Sequence, residues 1–461
     1  MKKIIAMSQE HWETFSLKSL GQQIDTGKLD PRELVDYFLD RINQDEDRDK
    51  IFIHIYPEEA RQAADKAYER AKNHQRFSLY DGIPLVWKDN FDIAGKPSTA
   101  GLPILRDKIV QENAAIYQIA LDSGLICLGK TNMTELAFSG LGINPSFGTP
   151  RNPFDARQAR VPGGSSSGSA VAVAKGLCCA GIGTDTGGSI RTPAAWNNLV
   201  GLKTTAGLLS TKGIVPLSQT LDTIGFLTRQ VEDAVSLYHL FTQQQPQNLA
   251  KLDCEDINLL VCTTIAWEQI NSEVAEILEV FLDKIACQGV KIDRQPIPEF
   301  EEVFELVNTY GNIVGYEASK NWLDFLLAHP DSISPEILER FRLGSTLTST
   351  NINKVHQGLQ KLQQQYLQRT QNYQGVVMPT VVSIPPIISE LEQDSQRYNL
   401  ENLLSLRNTR PVNLLGLSAL SVPVGMTKSQ LPVGLMLVAP PLAERILLEL
   451  ALALELDSAK F

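Results

Sequence analysis

Cysteine and histidine are scarce in this sequence, six of each among 461 residues, and their spacing excludes more than their number does. Cys127, Cys178, Cys179, Cys254, Cys262 and Cys287 form no C-x-x-C pair, and no H-x-x-x-H or H-E-x-x-H cluster accompanies them, so a zinc site is not expected. The cysteines are also too few and too scattered for a disulfide framework. Adjacent Cys178 and Cys179 read as small packing residues in a reduced compartment. No uncharged apolar run reaches the roughly 18 residues that a membrane-crossing helix needs. The opening MKKIIAMSQEHWE holds too short an apolar stretch for a secretory signal. Positive charge is in deficit as well: 42 Lys+Arg against 53 Asp+Glu leaves −11, which repels phosphate backbones and anionic membranes. The expectation is a soluble, cytoplasmic protein without metal, membrane or direct nucleic-acid contact, a homodimer being left open.

At 43% hydrophobic residues, the chain can bury a substantial core. Residues 31–74 read as helices, PRELVDYFLDRINQ and PEEARQAADKAYERAKN both placing apolar or small residues at helical spacing. IPLVWK (83–88) and GLICLGK (124–130) suit buried strands, with a helix over 113–123 between them. Helices alternating with apolar strands point to an α/β fold with a mixed or largely parallel sheet. The polar stretch 242–256 reads as a connection, INLLVCT as a strand after it, and 272–375 as mostly helical. The Gln-rich 357–374 keeps Leu359, Leu362 and Tyr366 at helical spacing and is expected to be a surface helix. VVMPT (376–380) and ALSVPVG (419–425) read as further strands, and ERILLELALALEL as a closing amphipathic helix.

Two short matches are set aside on physical grounds. GLICLGKT (124–131) fits the phosphate-loop pattern G-x-x-x-x-G-K-T, but such a loop wraps phosphate with exposed backbone N–H groups, whereas Leu125-Ile126-Cys127-Leu128 favours a buried strand. Gly164 to Gly168 fits the nucleophile elbow G-x-S-x-G, yet QARVPGG is a poor strand to feed it, and none of His239, His329 and His356 lies in a catalytic-looking context.

The stronger signal spans 162–194, PGGSSSGSAVAVAKGLCCAGIGTDTGGSIRTPA. SAVAVAK reads as a helix of small residues ending near Gly176, and LCCAGIG as a strand leading to a second Gly-rich turn. A helix of about 10 residues and about five strand residues each span roughly 15 Å. Run antiparallel, they bring the turns at 163–167 and 186–189 together at one sheet edge. In Thr186-Gly187-Gly188-Ser189 the glycines free backbone N–H groups beside a serine, which an oxyanion hole requires. A helix starting near Ser189 would add a favourable dipole. Histidine being scarce, a buried lysine without a carboxylate partner could serve as base; Lys88, at the end of IPLVWK, is placed to do so.

GGSSSGSA, GTDTGGSIRTPA and PLVWKDNFDIAG resemble the motifs of the amidase signature family. GKTNMTELAFSG, FGTPRNPFD, VGLKTTAGLLSTKG, LDTIGFLTR and RPVNLLGLSALSVPVG extend the likeness along most of the chain. The resemblance implies a single domain over 1–461, with a large mixed twisted sheet covered by helices on both faces. Within it, 61–235 would be the signature core, 257–375 a mostly helical substrate-shaping region, and 376–461 the strands and helix that complete the core. It implies a cofactor-free Ser-Ser-Lys hydrolase of a small-molecule amide, working through an acyl-enzyme. Ser189 would be the nucleophile, Lys88 the base and Ser165, after a cis peptide bond to Gly164, the relay between them. Backbone N–H groups of Thr186, Gly187, Gly188 and Ser189 would hold the oxyanion, Asp185 and Arg191 would fix the turn, and Ser166 would support it. Ser167 and Ser169 are expected to cap the following helix.

Asn197-Asn198 and LLSTKG look more like standalone amidases, allophanate-hydrolase-like members included, than like the glutamine-hydrolysing subunits of tRNA-dependent amidotransferases, which stay the alternative. ILERFRLG lies where those subunits place a carboxylate-binding arginine, which makes Arg340 and Arg342 candidate substrate contacts.

Overall fold

The computed structural model describes residues 11–244, 249–250 and 252–457. The opening ten residues, and 245–248 and 251 of the polar connection, lie outside the described residues. The strands are β1 (Phe52–Ile55), β2 (Pro84–Lys88), β3 (Ile126–Thr131), β4 (Gly181–Asp185), β5 (Val200–Lys203), β6 (Thr223–Thr228), β7 (Asn258–Cys262), β8 (Lys291–Gln295), β9 (Gly375–Pro379), β10 (Ser418–Met426) and β11 (Pro432–Ala439). They form one 11-stranded sheet in the order β1-β3-β2-β4-β6-β5-β10-β11-β9-β7-β8. The sheet is mixed: β2 runs parallel to β3 and β4, and β7 to β8 and β9, while the central pairs from β4 to β9 are antiparallel.

Alternation along the strands shows that both faces are covered. Leu259, Val261, Leu435 and Leu437 enter one apolar cluster, with helices Pro31–Gln44, Val231–Thr242 and Ser272–Cys287. Leu260, Cys262, Met436 and Val438 enter the other, with helices Glu299–Tyr310, Pro335–Ser345 and Ser349–Thr370. The Gln-rich segment is that last helix, and it buries Leu359, Leu362 and Tyr366.

Five strands, β1, β5, β6, β8 and β11, lie outside the apolar runs read as strands, and two of them lack such a run altogether. β1 is four residues long, wedged between helices Arg48–Ile51 and Pro57–Lys72. β8, KIDRQ, is an edge strand with polar residues facing out, paired only with β7. GLICLGKT is a strand, not a phosphate loop: Lys130 is buried in β3 with Nζ 2.8 Å from Asp89 Oδ1. Among the described residues no helix is long and apolar enough to cross a membrane.

Candidate active site

Lys88 ends β2 with its side chain fully buried. Its Nζ donates to Ser165 Oγ at 2.7 Å and to Thr184 Oγ1 at 2.8 Å. No described carboxylate lies within ion-pair distance of it, and burial pushes the amine down to about 7 against the weaker pull of Asp222 and Asp185. Lysine at this value exists in comparable amounts as amine and ammonium near neutrality.

The peptide bond Gly164–Ser165 is cis. The loop is held from both sides: Gly164 N donates to Gly140 O (2.7 Å), and Ser165 O accepts from Thr134 N (3.2 Å). Only glycine fits at 164, since a Cβ there would stand 2.6 Å from Gly142 N.

Helix Ser167–Ala174 and β4 bring the two Gly-rich turns together. Ser166 N donates to Ser189 O (3.3 Å), and Ser166 Oγ to Thr184 O (3.3 Å). Ser167 and Ser169 are not caps. Both sit inside the helix and tie it to the sheet, Ser167 Oγ donating to Asn132 O and Ser169 Oγ pairing with Thr131 Oγ1 at 2.6 Å. The helix is made of small residues because it is buried from Ser167 to Val173, where a Cβ on Gly168 would meet Ile51 O at 2.3 Å.

Asp185, at the end of β4, organises the second turn. Its carboxylate accepts from Gly188 N (2.8 Å), Ile190 N (3.0 Å), Arg191 Nη2 (2.9 Å) and Asn413 Nδ2 (2.9 Å). Burial would raise this acid, but Arg191, with help from Lys203 and Asn413, holds it well below the usual carboxylate range. The Gly188 N–H is thus engaged, which corrects the expected set of four oxyanion donors. Thr186, Gly187 and Ser189 line the adjoining cavity, whereas Gly188 does not. Gly188 has φ +139°, and a Cβ on it would lie 2.2 Å from Thr409 Oγ1, the hydroxyl that donates to Gly187 O at 2.6 Å. The expected helix after Ser189 is one short segment, Arg191–Trp196.

Asp222 escaped the sequence reading. Buried beside the turn, it accepts from Thr186 Oγ1, Leu217 N (2.9 Å) and Ser218 N (3.0 Å), and burial raises it to about 6. Nothing in DTIGF announces such an acid; only the antiparallel pairing of β4 with β6 sets it beside Thr186.

The cavity beyond Ser189 encloses about 420 Å³. One wall comes from helices Ile313–Ala328 and Pro335–Ser345, which cross closely because a glycine stands at 315 and 344; a Cβ on Gly344 would lie 1.9 Å from Gly315 O. The facing wall holds Asn402, Leu406 and Arg410. Arg340 lines the cavity, donating to Phe138 O and, at 3.4 Å, to Asn399 Oδ1. Arg342 does not: it is exposed, with its guanidinium 3.8 Å from Glu339, so it is no substrate contact. Arg410, which the sequence reading passed over inside RPVNLLG, is a second guanidinium at the cavity wall.

Comparison with known proteins agrees with this architecture. The Amidase family profile matches residues 33–448. The 2-amino-5-chloromuconic acid deaminase of Comamonas testosteroni is 34% identical over 378 residues, 81% of either chain. A glutamyl-tRNA(Gln) amidotransferase subunit from Microcystis aeruginosa is 31% identical over 476 residues, 95% of this chain and 97% of that one. A crystal structure of an amidase superposes with a TM-score of 0.85 at 28% identity, covering 96% of this chain and 99% of its own. A matching profile over nine-tenths of the length, carried on the same sheet, settles the affiliation: the chain belongs to the amidase family and is a hydrolase acting on amide bonds.

Proposed function

We propose that Ser189 is the acyl-forming nucleophile, Lys88 the general base and Ser165 the relay between them. The observation that carries this reading is the 2.7 Å contact of Lys88 Nζ with Ser165 Oγ, made by a lysine that burial keeps near 7. Neutral Lys88 takes the Ser165 hydroxyl proton as Ser165 takes that of Ser189, whose Oγ bonds to the carbonyl carbon. The carbonyl oxygen becomes an anion facing the N–H groups of the turn, those of Gly187 and Ser189 foremost. When the C–N bond breaks, the proton on Lys88 returns through Ser165 to the leaving nitrogen. Water then attacks the acyl carbon along the same proton path, releasing the acid and restoring the three side chains.

The test is a screen of the purified chain against glutamine, allophanate, aryl amides, fatty amides and peptide amides, with ammonia or amine release measured. Alongside it, a fluorophosphonate probe should label Ser189, and Ser189→Ala should abolish both labelling and turnover; full turnover by that variant defeats the reading. A second reading, the glutamine-hydrolysing subunit of a tRNA-dependent amidotransferase, draws on the full-length likeness to the Microcystis aeruginosa protein. Copurification with a tRNA-binding partner from native extract would favour it.

A further inference from the structure

We propose that the amide hydrolysed here carries a carboxylate remote from the scissile bond and no ammonium group, and that Arg410, with Arg340, receives that carboxylate. This rests on the reading of Ser189 as nucleophile, whose cavity the two arginines share.

Two cations face one small cavity without a counter-charge. No carboxylate among the described residues lines it. Among the described residues no hydrogen-bond acceptor or acid engages the Arg410 guanidinium, and the charge that acts on it most is Arg340, of like sign. Burial first, and Arg340 second, push Arg410 down to about 10. Arg340 is no better balanced: its guanidinium donates to a backbone carbonyl and an amide, and its carbon lies 5.9 Å and 5.7 Å from the ring centres of Phe138 and Tyr398. After burial, Tyr398 acts on it most, and its phenol, which burial pushes up, brings no full counter-charge; Glu336, which follows, accepts instead from Ser395 Oγ at 2.6 Å.

Unpaired charge in a half-dry cavity is costly, and two like charges side by side cost more. An incoming carboxylate removes both penalties, since the planar guanidinium fork matches its two oxygens. An ammonium group gains nothing: it would meet two guanidiniums and the apolar side chains of Leu406, Val314 and Leu347, with no acid to pair with. The arrangement therefore selects a half-amide of a dicarboxylic acid over a neutral amide, and over a zwitterion such as glutamine.

The experiment uses matched probes: malonamate, succinamate and glutaramate, the methyl ester of each, and glutamine, which differs from glutaramate by its α-ammonium alone. Ammonia release gives kcat/KM for each on the intact chain. The best half-amide should exceed its methyl ester by roughly 100-fold, and glutaramate should exceed glutamine by at least as much, a buried polar site left unpaired being the source of such ratios. In Arg410→Gln the charged-to-neutral ratio should fall to within a few-fold of one, mainly through KM, and Arg410→Lys should keep part of it. Should Arg410→Gln not fold, glutarate must still protect Ser189 of the parent chain from the fluorophosphonate. Equal turnover of acid and ester, preference for glutamine, no turnover of any half-amide, or an unchanged ratio in folded Arg410→Gln each overturns the proposal. Labelling of Ser189 separates the two failures: if it persists, only the carboxylate assignment falls, and if it is absent, the serine mechanism falls first.

Discussion

Arg191 Nη2 stands 2.9 Å from Asp185 Oδ1, and neither side chain has any exposure to solvent. The pair fixes the turn that carries Ser189, because the same carboxylate holds Gly188 N and Ile190 N. Arg191→Met keeps the bulk and strips the cation, leaving a buried carboxylate uncompensated at a cost of about 3–5 kcal/mol. Urea unfolding followed by circular dichroism should show the lowered midpoint, and turnover should fall with it.

If Lys88 is the base, as proposed, it must be neutral to act, and activity rises with pH. Lys88 sits at about 7, so kcat/KM should climb through that value and level off above it, reporting the fraction of free amine. Asp222, at about 6, favours the charged form of Lys88. Asp222→Asn removes that pull and lowers the lysine further, so the ascending limb should move to lower pH. A limb that stays in place or moves upward would contradict the electrostatic link; because the two groups interact, the measured midpoint belongs to both.

Adjacent glycines of the turn should respond differently to one added methyl. At Gly187 nothing stands within 4 Å of where a Cβ would sit, so Gly187→Ala should keep its stability and mainly raise KM by intruding on the cavity. Gly188→Ala needs φ near +139° and drives Cβ against Thr409 Oγ1, displacing the turn; kcat should drop on the order of 100-fold, the scale of losing an oxyanion donor. Steady-state kinetics on one amide decides between the two patterns.

The close helix crossing at the cavity wall is open to the same approach. Gly344→Ala places a methyl 1.9 Å from Gly315 O and must spread the helices, costing about 1–3 kcal/mol and raising KM. Gly315→Ala, whose Cβ would approach Gly344 Cα at 3.4 Å, should be much milder. Thermal unfolding together with KM for both variants tests the contrast.

What could be read from residues alone was local. The Gly-rich turns announce themselves, and the helix and strand between them are short enough that their lengths dictate a meeting of Ser166 with Ser189. Lys88 was legible only by elimination and resemblance, since histidine is scarce and PLVWKDNFDIAG matches a family motif; a lysine at a strand end ordinarily reaches water, and its burial here comes from contacts with Ser165 and Thr184. Ser167 and Ser169 were misread as caps since nothing in SSSGS reveals that β3 lies against that helix. β8 hid behind its charge, an edge strand needing no apolar alternation. Arg410 and Asp222 acquire their surroundings only through contacts between segments far apart in sequence, which periodicity does not encode. Two positions apart on helix Pro335–Ser345, Arg340 and Arg342 fall on opposite sides of it, so one turns inward to the cavity while the other faces solvent beside Glu339.

The sheet keeps two kinds of change apart. Lys88 ends β2, Ser165 lies in the loop before the helix that leads to β4, and Ser189 in the turn after β4, whereas much of the cavity wall comes from helices at 313–345 and from 402–410. Away from Thr409, which holds Gly187 O, and Ser405, which accepts from Thr192, substitutions in the second set touch neither Lys88 nor Ser165. Diversification of such a scaffold is thus largely separable from the proposed proton path, and Thr409 is where the two remain joined.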